Sequence, residues 1–333
     1  MPDSSARFLP SMPPELINIA PLPPFIKAPL AERFVLHDLY GAGSREARAA
    51  LIAQVGPRIR GMVAFGGSKV TPEQLEALPA LEIISVFGVG YDGIPVEYCA
   101  SRGIKVTHTP GVLDDEVADT AVALILMTLR RLVAAHKFIE RGDWLKGQFP
   151  LTRTLVGKRV GLVGLGRIGR AIAERLVAHK AQIAYHARTP KPVAWPYYGS
   201  VLELARHSDV LVVATPGGAA TRHLIDASVL EALGPEGVLV NIARGSVVDE
   251  AALVAALEAG RIAGVGLDVF EDEPRVPEAL FHRDNVVLLP HVGSATEETR
   301  AAMGRLCVEN LCLHFDGRPV ATLVPELVGR VLP

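Results

Sequence analysis

The sequence has few of the residues on which disulfide-bonded or zinc-built domains depend. It contains three cysteines among 333 residues, Cys99, Cys307 and Cys312. An odd number of cysteines without Cys-x-x-Cys spacing predicts neither a disulfide framework nor a thiolate zinc site. We therefore expect no metal, and a location in the reducing cytoplasm.

Aromatic residues and long apolar runs are also scarce. Aromatics make up 5% of the chain although 49% of it is hydrophobic, which is typical of Ala, Val and Leu in helices packed on buried parallel strands. The longest candidate, Ala121 to Leu129, falls short of the roughly 18 apolar residues that a membrane helix needs. Near the N terminus Asp3, Arg7 and Pro10 interrupt any signal-peptide core. We expect no membrane partner.

Neither sign of charge is in clear excess. The chain has 34 basic and 36 acidic residues and a formal charge of -2, so it lacks the single-signed field that would attract nucleic acid. This favours a small-molecule partner over a nucleic-acid partner. The length exceeds one ordinary core and predicts two domains with a cleft.

Short apolar runs alternate with segments of helical periodicity, which predicts an α/β fold with parallel sheets. The predicted strands include Gly61 to Ala64, Leu81 to Val86, Ile104 to Thr107, Arg159 to Val163, Ile183 to Tyr185, Val210 to Ala214, Val238 to Ile242 and Ile262 to Leu267.

The domain order is predicted to be discontinuous. One apolar face runs from Val117 to Arg141 and predicts a single long helix. A Pro/Gly break at His108 precedes it, and a second crossing is predicted near Val292 to Thr296. We therefore predict one domain from residues 1–107 and 295–333, with residues 108–294 inserted as a dinucleotide-binding domain.

The segment Arg159-Val-Gly-Leu-Val-Gly-Leu-Gly-Arg-Ile-Gly places Gly164, Gly166 and Gly169 in G-x-G-x-x-G spacing. The first glycine permits a tight turn, the second lets a pyrophosphate approach the backbone, and the third allows close helix–strand packing. The motif alone also occurs in plain strand–helix turns. With a strand before it and a helix after it, it predicts a dinucleotide at a helix N terminus.

The residues after the next predicted strand favour NADP(H). An NAD site would have Asp or Glu there to accept hydrogen bonds from the adenosine ribose, whereas this chain has His186, with Arg188 and Thr189 just beyond it. Arg188 can pair bidentately with a 2′-phosphate. The alternative is that Arg188 is a solvated loop cation.

Three more segments each carry a reactive side chain just after a predicted strand: Arg244 in Asn-Ile-Ala-Arg-Gly, Glu273 in Glu-Asp-Glu-Pro and His291 in Leu-Pro-His-Val-Gly. The carboxyl ends of strands in an open α/β sheet form the ligand crevice. Taken singly, these residues are more often a surface cation, a solvated acid and a structural histidine. Together, beside a dinucleotide motif, they predict a catalytic site.

In this order the segments resemble the D-2-hydroxyacid dehydrogenase family. Within that family, the segments Tyr185-His-Ala-Arg-Thr, Ala20-Pro-Leu-Pro-Pro and Leu289 to Thr296 resemble the glyoxylate/hydroxypyruvate reductases. The resemblance extends over nearly the whole chain, from Pro24 to Pro325. It implies two Rossmann-like doubly wound domains, a flavodoxin-like substrate domain and an NADP-binding domain. It also implies that Arg244, Glu273 and His291 are catalytic.

The same resemblance implies further binding residues. Backbone amides at Val89 and Gly90 would bind the substrate carboxylate, and Arg244 and His291 would contact the substrate too. Trp144 would close the partner subunit's pocket or, alternatively, anchor an ordinary dimer interface, and both readings predict a homodimer. The residues expected to contact the cofactor are Thr120, Gly164, Gly166, Arg167, Ile168, Gly169, His186, Arg188, Thr189, Thr215, Pro216, Ile242, Ala243, Asp268 and Gly293.

Reduction of a 2-keto acid explains these residue types. Hydride transfer to the keto carbon leaves negative charge on the oxygen, which a proton donor and a fixed cation must meet. His291 can donate that proton near neutral pH, and Glu273 would orient its ring and favour the protonated form. Arg244 can hold the carboxylate and the carbonyl together.

Other functions on the same plan stay open. They are an NAD-linked dehydrogenase of another D-2-hydroxy acid, a phosphite dehydrogenase, and a nucleotide-sensing transcriptional corepressor without turnover. Formate dehydrogenases have Gln where this chain has Glu273. The presence of all three catalytic residues favours an enzyme.

Overall fold

The computed structural model describes residues 12–331, so the features predicted at Asp3, Arg7 and Pro10 lie outside the described residues. The chain divides into two compact units, residues 1–110 with 301–333, and residues 111–300. Each unit has a parallel sheet with helices in the connections. The predicted α/β class with two doubly wound domains is confirmed.

The first unit contains a five-stranded parallel sheet in the order β2-β1-β3-β4-β5, which is the flavodoxin-like order. Its elements are β1 (Glu15–Asn18), α1 (Pro24–Ala31), β2 (Val35–Asp38), α2 (Arg45–Val55), β3 (Ile59–Phe65), α3 (Pro72–Glu76), β4 (Ile83–Phe87), α4 (Val96–Ser101) and β5 (Lys105–Thr107).

Burial separates the strands that the sequence predicted from the two that it did not. β4 and β5 are buried throughout and β3 nearly so, because helices cover both faces of a parallel sheet. β2 is a half-exposed edge strand of four residues, and β1 is a four-residue strand shortly before a Pro-rich segment. Neither short strand has an apolar run long enough to stand out.

The second unit contains a six-stranded parallel sheet. Its elements are α5 (Asp114–Leu129), α6 (Leu132–Glu140), β6 (Arg159–Val163), α7 (Arg167–Ala178), β7 (Gln182–His186), α8 (Val201–Arg206), β8 (Val210–Val213), α9 (Ala227–Leu233), β9 (Val238–Asn241), α10 (Glu250–Glu258), β10 (Gly264–Leu267) and β11 (Val286–Leu288).

The strand order of the second unit is β11-β10-β9-β8-β6-β7. A single parallel bridge between Tyr185 and Tyr197 adds one more position beyond β7, so the order follows the Rossmann pattern with its third strand reduced to one residue pair. The order reverses between β6 and β8, where such sheets bind ligands. The carboxyl ends of β6 to β11 all lie at this edge.

The prediction of one continuous helix from Val117 to Arg141 is wrong. α5 ends at Leu129, and Arg131 has a left-handed φ of 49° before α6 begins. The Arg131 side chain holds this break through an ion pair with Asp284 at 2.7 Å. The apolar periodicity of the sequence continues across the break. It therefore could not predict that the single residue Arg131 has a positive φ.

The last helix, α11 (Glu297–Phe315), contains the point at which the chain passes from the second unit to the first. In the first unit its Cys307 carbonyl accepts a hydrogen bond from the buried Ser85 hydroxyl of β4 at 2.9 Å. Among residues 12–331, no helix has both the length and the apolar character to span a bilayer.

Candidate active site

The three motif glycines form a tight turn between β6 and the N terminus of α7. Gly164 has φ +102°, and a Cβ there would lie 2.7 Å from the Ala214 carbonyl oxygen. A Cβ at Gly169 would clash with the Gly164 carbonyl oxygen, whereas one at Gly166 would meet nothing within 4 Å. Close backbone packing therefore requires Gly164 and Gly169. Gly166 leaves open space at a helix N terminus, which fits a bound pyrophosphate.

The side chains predicted to contact the adenosine lie at the end of β7 and just after it. His186 is half-buried, its Nδ1 lies 3.0 Å from the Tyr198 carbonyl oxygen, and its ring stacks on Tyr197. Arg188 and Thr189 are exposed. Within residues 12–331 the Arg188 side chain has no ion-pair partner, so its guanidinium is available to an anionic ligand.

A buried asparagine at the end of β9 fixes the loop that carries Arg244. The Asn241 amide donates to the Arg244 carbonyl at 2.9 Å, and its oxygen accepts from the Ala243 N–H at 3.0 Å. The guanidinium of Arg244 is half-buried and donates to the Ala243 carbonyl. Asn241 was not among the predicted site residues, although a polar residue ending the apolar run Val-Leu-Val is a readable signal.

His291 and Glu273 form a hydrogen-bonded pair. His291 Nδ1 lies 2.8 Å from Glu273 Oε2, and Glu273 Oε1 accepts from the Phe270 N–H at 3.0 Å. Burial by itself would raise the pKa of Glu273. The hydrogen bond to His291 and the charges of His291 and Arg244 outweigh burial, so the pKa of Glu273 is lowered. The pair therefore combines an ionised carboxylate with an imidazole whose Nε2 remains for a substrate.

Asp268 fixes the backbone of His291 and of the two residues that follow it through hydrogen bonds. Its carbonyl accepts from the His291 N–H at 2.8 Å, and its carboxylate oxygens accept from the N–H groups of Val292 and Gly293 at 2.7 and 2.8 Å. These bonds stabilise the left-handed φ of 55° at His291. Burial raises the pKa of Asp268 even though both amide hydrogen bonds lower it.

Backbone packing ties the Arg244 loop to the Glu273 loop. A Cβ at Gly245 would clash with the backbone of Phe270 and Glu271. Glu271 in turn lies 2.7 Å from Arg222 and 3.0 Å from His223, and its N–H donates to Glu250. This network was not predicted, because its members come from four separate segments.

The remaining predicted cofactor residues surround the same edge of the sheet. The Thr120 hydroxyl on α5 lies 3.4 Å from the Gly293 carbonyl. Thr215 and Pro216 come two and three residues after the end of β8, and Ile242 follows β9 with 8% of its surface exposed. Arg167 and Ile168 begin α7, and Ala243 precedes Arg244. All of them lie in the second unit.

The predicted carboxylate-binding turn lies in the first unit, after β4. The Val89 carbonyl oxygen lies 2.9 Å from His108 Nδ1, and the Gly88 carbonyl accepts from the Thr109 N–H. In residues 12–331 the amides of Val89 and Gly90 donate to no protein acceptor. This leaves two neighbouring N–H groups for an anion.

Trp144 lies elsewhere on the second unit, in the turn after α6. It is 62% exposed and lines a surface pocket of about 240 Å³ with Phe138, Ile139 and Phe149. The lining of this pocket includes none of the three predicted catalytic residues. Leu145 beside it is 94% exposed, so the turn presents an apolar surface.

A dinucleotide turn, a cation and a His–Glu pair at one sheet edge are typical of pyridine-nucleotide dehydrogenases. Comparison with known proteins agrees. Residues 122–293 match the family model described as D-isomer specific 2-hydroxyacid dehydrogenase, NAD binding domain. The chain is 48% identical to hydroxyphenylpyruvate reductase of Plectranthus scutellarioides and 46% identical to glyoxylate/hydroxypyruvate reductase A of Arabidopsis thaliana, each alignment covering 93% of this chain and 98% of the relative.

Solved structures give the same result. The NADPH-dependent glyoxylate/hydroxypyruvate reductase from Sinorhizobium meliloti, in complex with NADP and malonate, superposes with a TM-score of 0.88 at 46% identity, covering 94% of this chain and 97% of the other. The chain belongs to the D-isomer specific 2-hydroxyacid dehydrogenase family, as predicted. The predicted resemblance to its glyoxylate/hydroxypyruvate reductases is confirmed, and the relatives support an oxidoreductase with an NAD(P)-binding domain.

Proposed function

We propose that this protein reduces small 2-keto acids, glyoxylate and hydroxypyruvate among them, to 2-hydroxy acids with NADPH. The observation that carries the proposal is the 2.8 Å contact between His291 Nδ1 and Glu273 Oε2 in a unit built for a dinucleotide. That contact leaves Nε2 as the proton-donating atom.

The residues of the chain have separate roles in the proposed reaction. When bound, NADPH supplies the hydride. His291 Nε2 donates a proton to the substrate oxygen as negative charge develops there, and Glu273 keeps the ring oriented. Arg244 pairs with the substrate carboxylate and the carbonyl oxygen, and the amides of Val89 and Gly90 bind the carboxylate.

The preference for NADPH rests on Arg188. Its exposed, unpaired guanidinium would pair with the 2′-phosphate, and Thr189 would donate to the same group. One charge-assisted hydrogen bond contributes about 1.5–3 kcal/mol, which corresponds to a factor of ten or more in affinity. The S. meliloti reductase named above is NADPH-dependent and 46% identical to this chain, which supports the same preference here.

The cofactor prediction is tested by titrating NADPH and NADH at fixed keto acid. We expect wild type to favour NADPH by about tenfold or more in kcat/KM. Arg188→Ala should weaken NADPH selectively, whereas Arg206→Ala at an exposed residue of α8 should change neither titration. His186→Asp should improve NADH by supplying a ribose acceptor. Equal efficiencies in wild type, or equal damage by Arg188→Ala to both cofactors, would refute the phosphate site.

The substrate prediction is tested by following NADPH oxidation on a panel of 2-keto acids. Turnover of glyoxylate or hydroxypyruvate supports the reductase. Cofactor binding without turnover of any keto acid on the panel would instead mean a nucleotide-binding protein on this fold.

Two broader predictions belong to the same proposal. The exposed apolar surface around Ile139, Trp144 and Leu145 supports a homodimer, because patches of this kind mark protein interfaces. Trp144 would then either reach the partner's pocket or anchor the interface. The three free cysteines, two of them buried, suit a reducing compartment such as the cytoplasm.

A further inference from the structure

A second pocket lies in the first unit, beside the start of β5. Its volume is about 320 Å³, and Lys105, Pro319, Val320, Leu323, Val328 and Val331 line it. The segment that forms its wall is anchored, because Leu323 bridges Thr107 and the Val324 N–H donates to the Val106 carbonyl at 3.0 Å. Five of these six residues have apolar side chains, so the pocket can contact the apolar part of a ligand.

The exception is Lys105, which is only 9% exposed. Among residues 12–331 its side chain has no hydrogen-bond or ion-pair partner. The Glu82 carboxylate in the neighbouring strand segment is already engaged by Arg60 at 2.5 Å and by His314 at 3.0 Å. The Lys105 ammonium therefore has no counter-charge among residues 12–331, and a carboxylate ligand would supply one.

The surroundings of Lys105 carry excess positive charge. Burial lowers the pKa of His314, and the charge of Lys105 lowers it further while Glu82 raises it. His314 is thus under the influence of two permanent cations, Arg60 and Lys105, and of one carboxylate, Glu82, which is paired with Arg60. The pocket lacks the several donors that a phosphate requires, but one ammonium suits one carboxylate.

We propose that this pocket binds a small monocarboxylate with an apolar body, such as a medium-chain fatty acid, whose carboxylate pairs with Lys105. The volume is at the small end of ligand pockets, which span roughly 300–1,000 Å³. A ligand of this class differs from the short, polar keto acids of the proposed reaction. The site belongs to the first unit and involves none of the proposed catalytic residues.

Calorimetric titration of the full-length protein with octanoate, and with octan-1-ol as its uncharged match, tests the proposal. Octanoate should bind saturably and more tightly than the alcohol. Lys105→Met should weaken octanoate by about tenfold, the loss expected for one charge-assisted contact, and leave the alcohol unchanged. Lys27→Met, at an exposed residue of α1 in the same unit, should change the binding of neither ligand.

A pocket-filling variant covers the case in which Lys105→Met fails to fold. Val328 is 69% exposed and lines the pocket, so Val328→Trp should fold and abolish binding of both ligands. Equal binding of octanoate and octanol, or unchanged octanoate binding in Val328→Trp, overturns the proposal. These measurements do not involve turnover, so they stand whether or not the protein reduces keto acids.

Discussion

His291 and Glu273 are the residues on which the proposed proton transfer depends. His291→Ala should lower kcat by roughly 100-fold while leaving NADPH binding nearly unchanged, because the imidazole acts on the substrate. His282→Ala is the matched control, since His282 is also an exposed histidine with a left-handed φ, 58°. Turnover of His291→Ala at the wild-type rate would remove His291 from the mechanism.

The lowered pKa of Glu273 gives this pair a pH signature. A carboxyl whose folded pKa is depressed stabilises the protein above its unfolded pKa, about 4.3 for Glu, and loses that contribution as pH falls through the folded value. Wild type should therefore have a higher Tm than Glu273→Gln at neutral pH. This Tm difference should become smaller as the pH falls below the unfolded pKa of Glu and through the folded pKa of Glu273. A Tm difference that stays constant as the pH falls below the unfolded pKa of Glu would contradict an ionised Glu273 paired with His291.

Arg244 is expected to act on both the bound substrate and the developing oxyanion. Arg244→Ala should raise KM and depress kcat together, because the guanidinium contacts the carboxylate in the ground state and the oxygen in the transition state. Arg261→Ala, which removes an exposed cation shortly after α10, is the control. If KM for the keto acid stayed at the wild-type value, another cation would bind the acid.

Among the elements, the loops after β9 and β10 depend on each other through backbone contact at Gly245. Gly245→Ala adds one carbon where the Phe270 backbone lies, so the loops carrying Arg244 and Glu273 must separate. We expect a lower Tm, a rise in KM and a fall in kcat. Gly199→Ala, whose added Cβ would make only an ordinary 3.6 Å contact, should be near neutral. A Gly245→Ala enzyme with wild-type kinetics would show that the loops move independently.

The elements also show where sequence patterns were sufficient. Buried apolar strands such as β8 and β9, and glycines such as Gly164, leave signals in a few adjacent residues, so the sheets and the dinucleotide turn could be predicted. The break at Arg131 could not be predicted, because it depends on an ion pair with the distant Asp284. The Asn241 clamp acts within its own loop and was missed although the polar residue that ends β9 is a signal for it. The boundaries at residues 107 and 294 and the role of each site residue stay predictions.

For the whole molecule, the proposed dimer is the property that is measured most directly. Ile139→Glu places a charge in the exposed apolar surface around Trp144 and should shift the protein toward monomer in light scattering. Val177→Glu adds the same charge at a 49% exposed residue of α7 and should leave the mass unchanged. A monomeric wild type would refute the dimer, and a dimeric Ile139→Glu protein would place its interface elsewhere.

The discontinuity of the first unit has a consequence for biosynthesis. Ser85 and Cys307, which meet in its core, are 222 residues apart in the chain, whereas every residue of the second unit leaves the ribosome before α11 is complete. The nascent β1–β5 sheet therefore lacks α11, the helix that covers Gly61 and Ser85, while the second unit is being synthesised. The second unit is expected to fold as a unit of its own during this time. During that interval its uncovered apolar face is a binding site for chaperones and a starting point for aggregation.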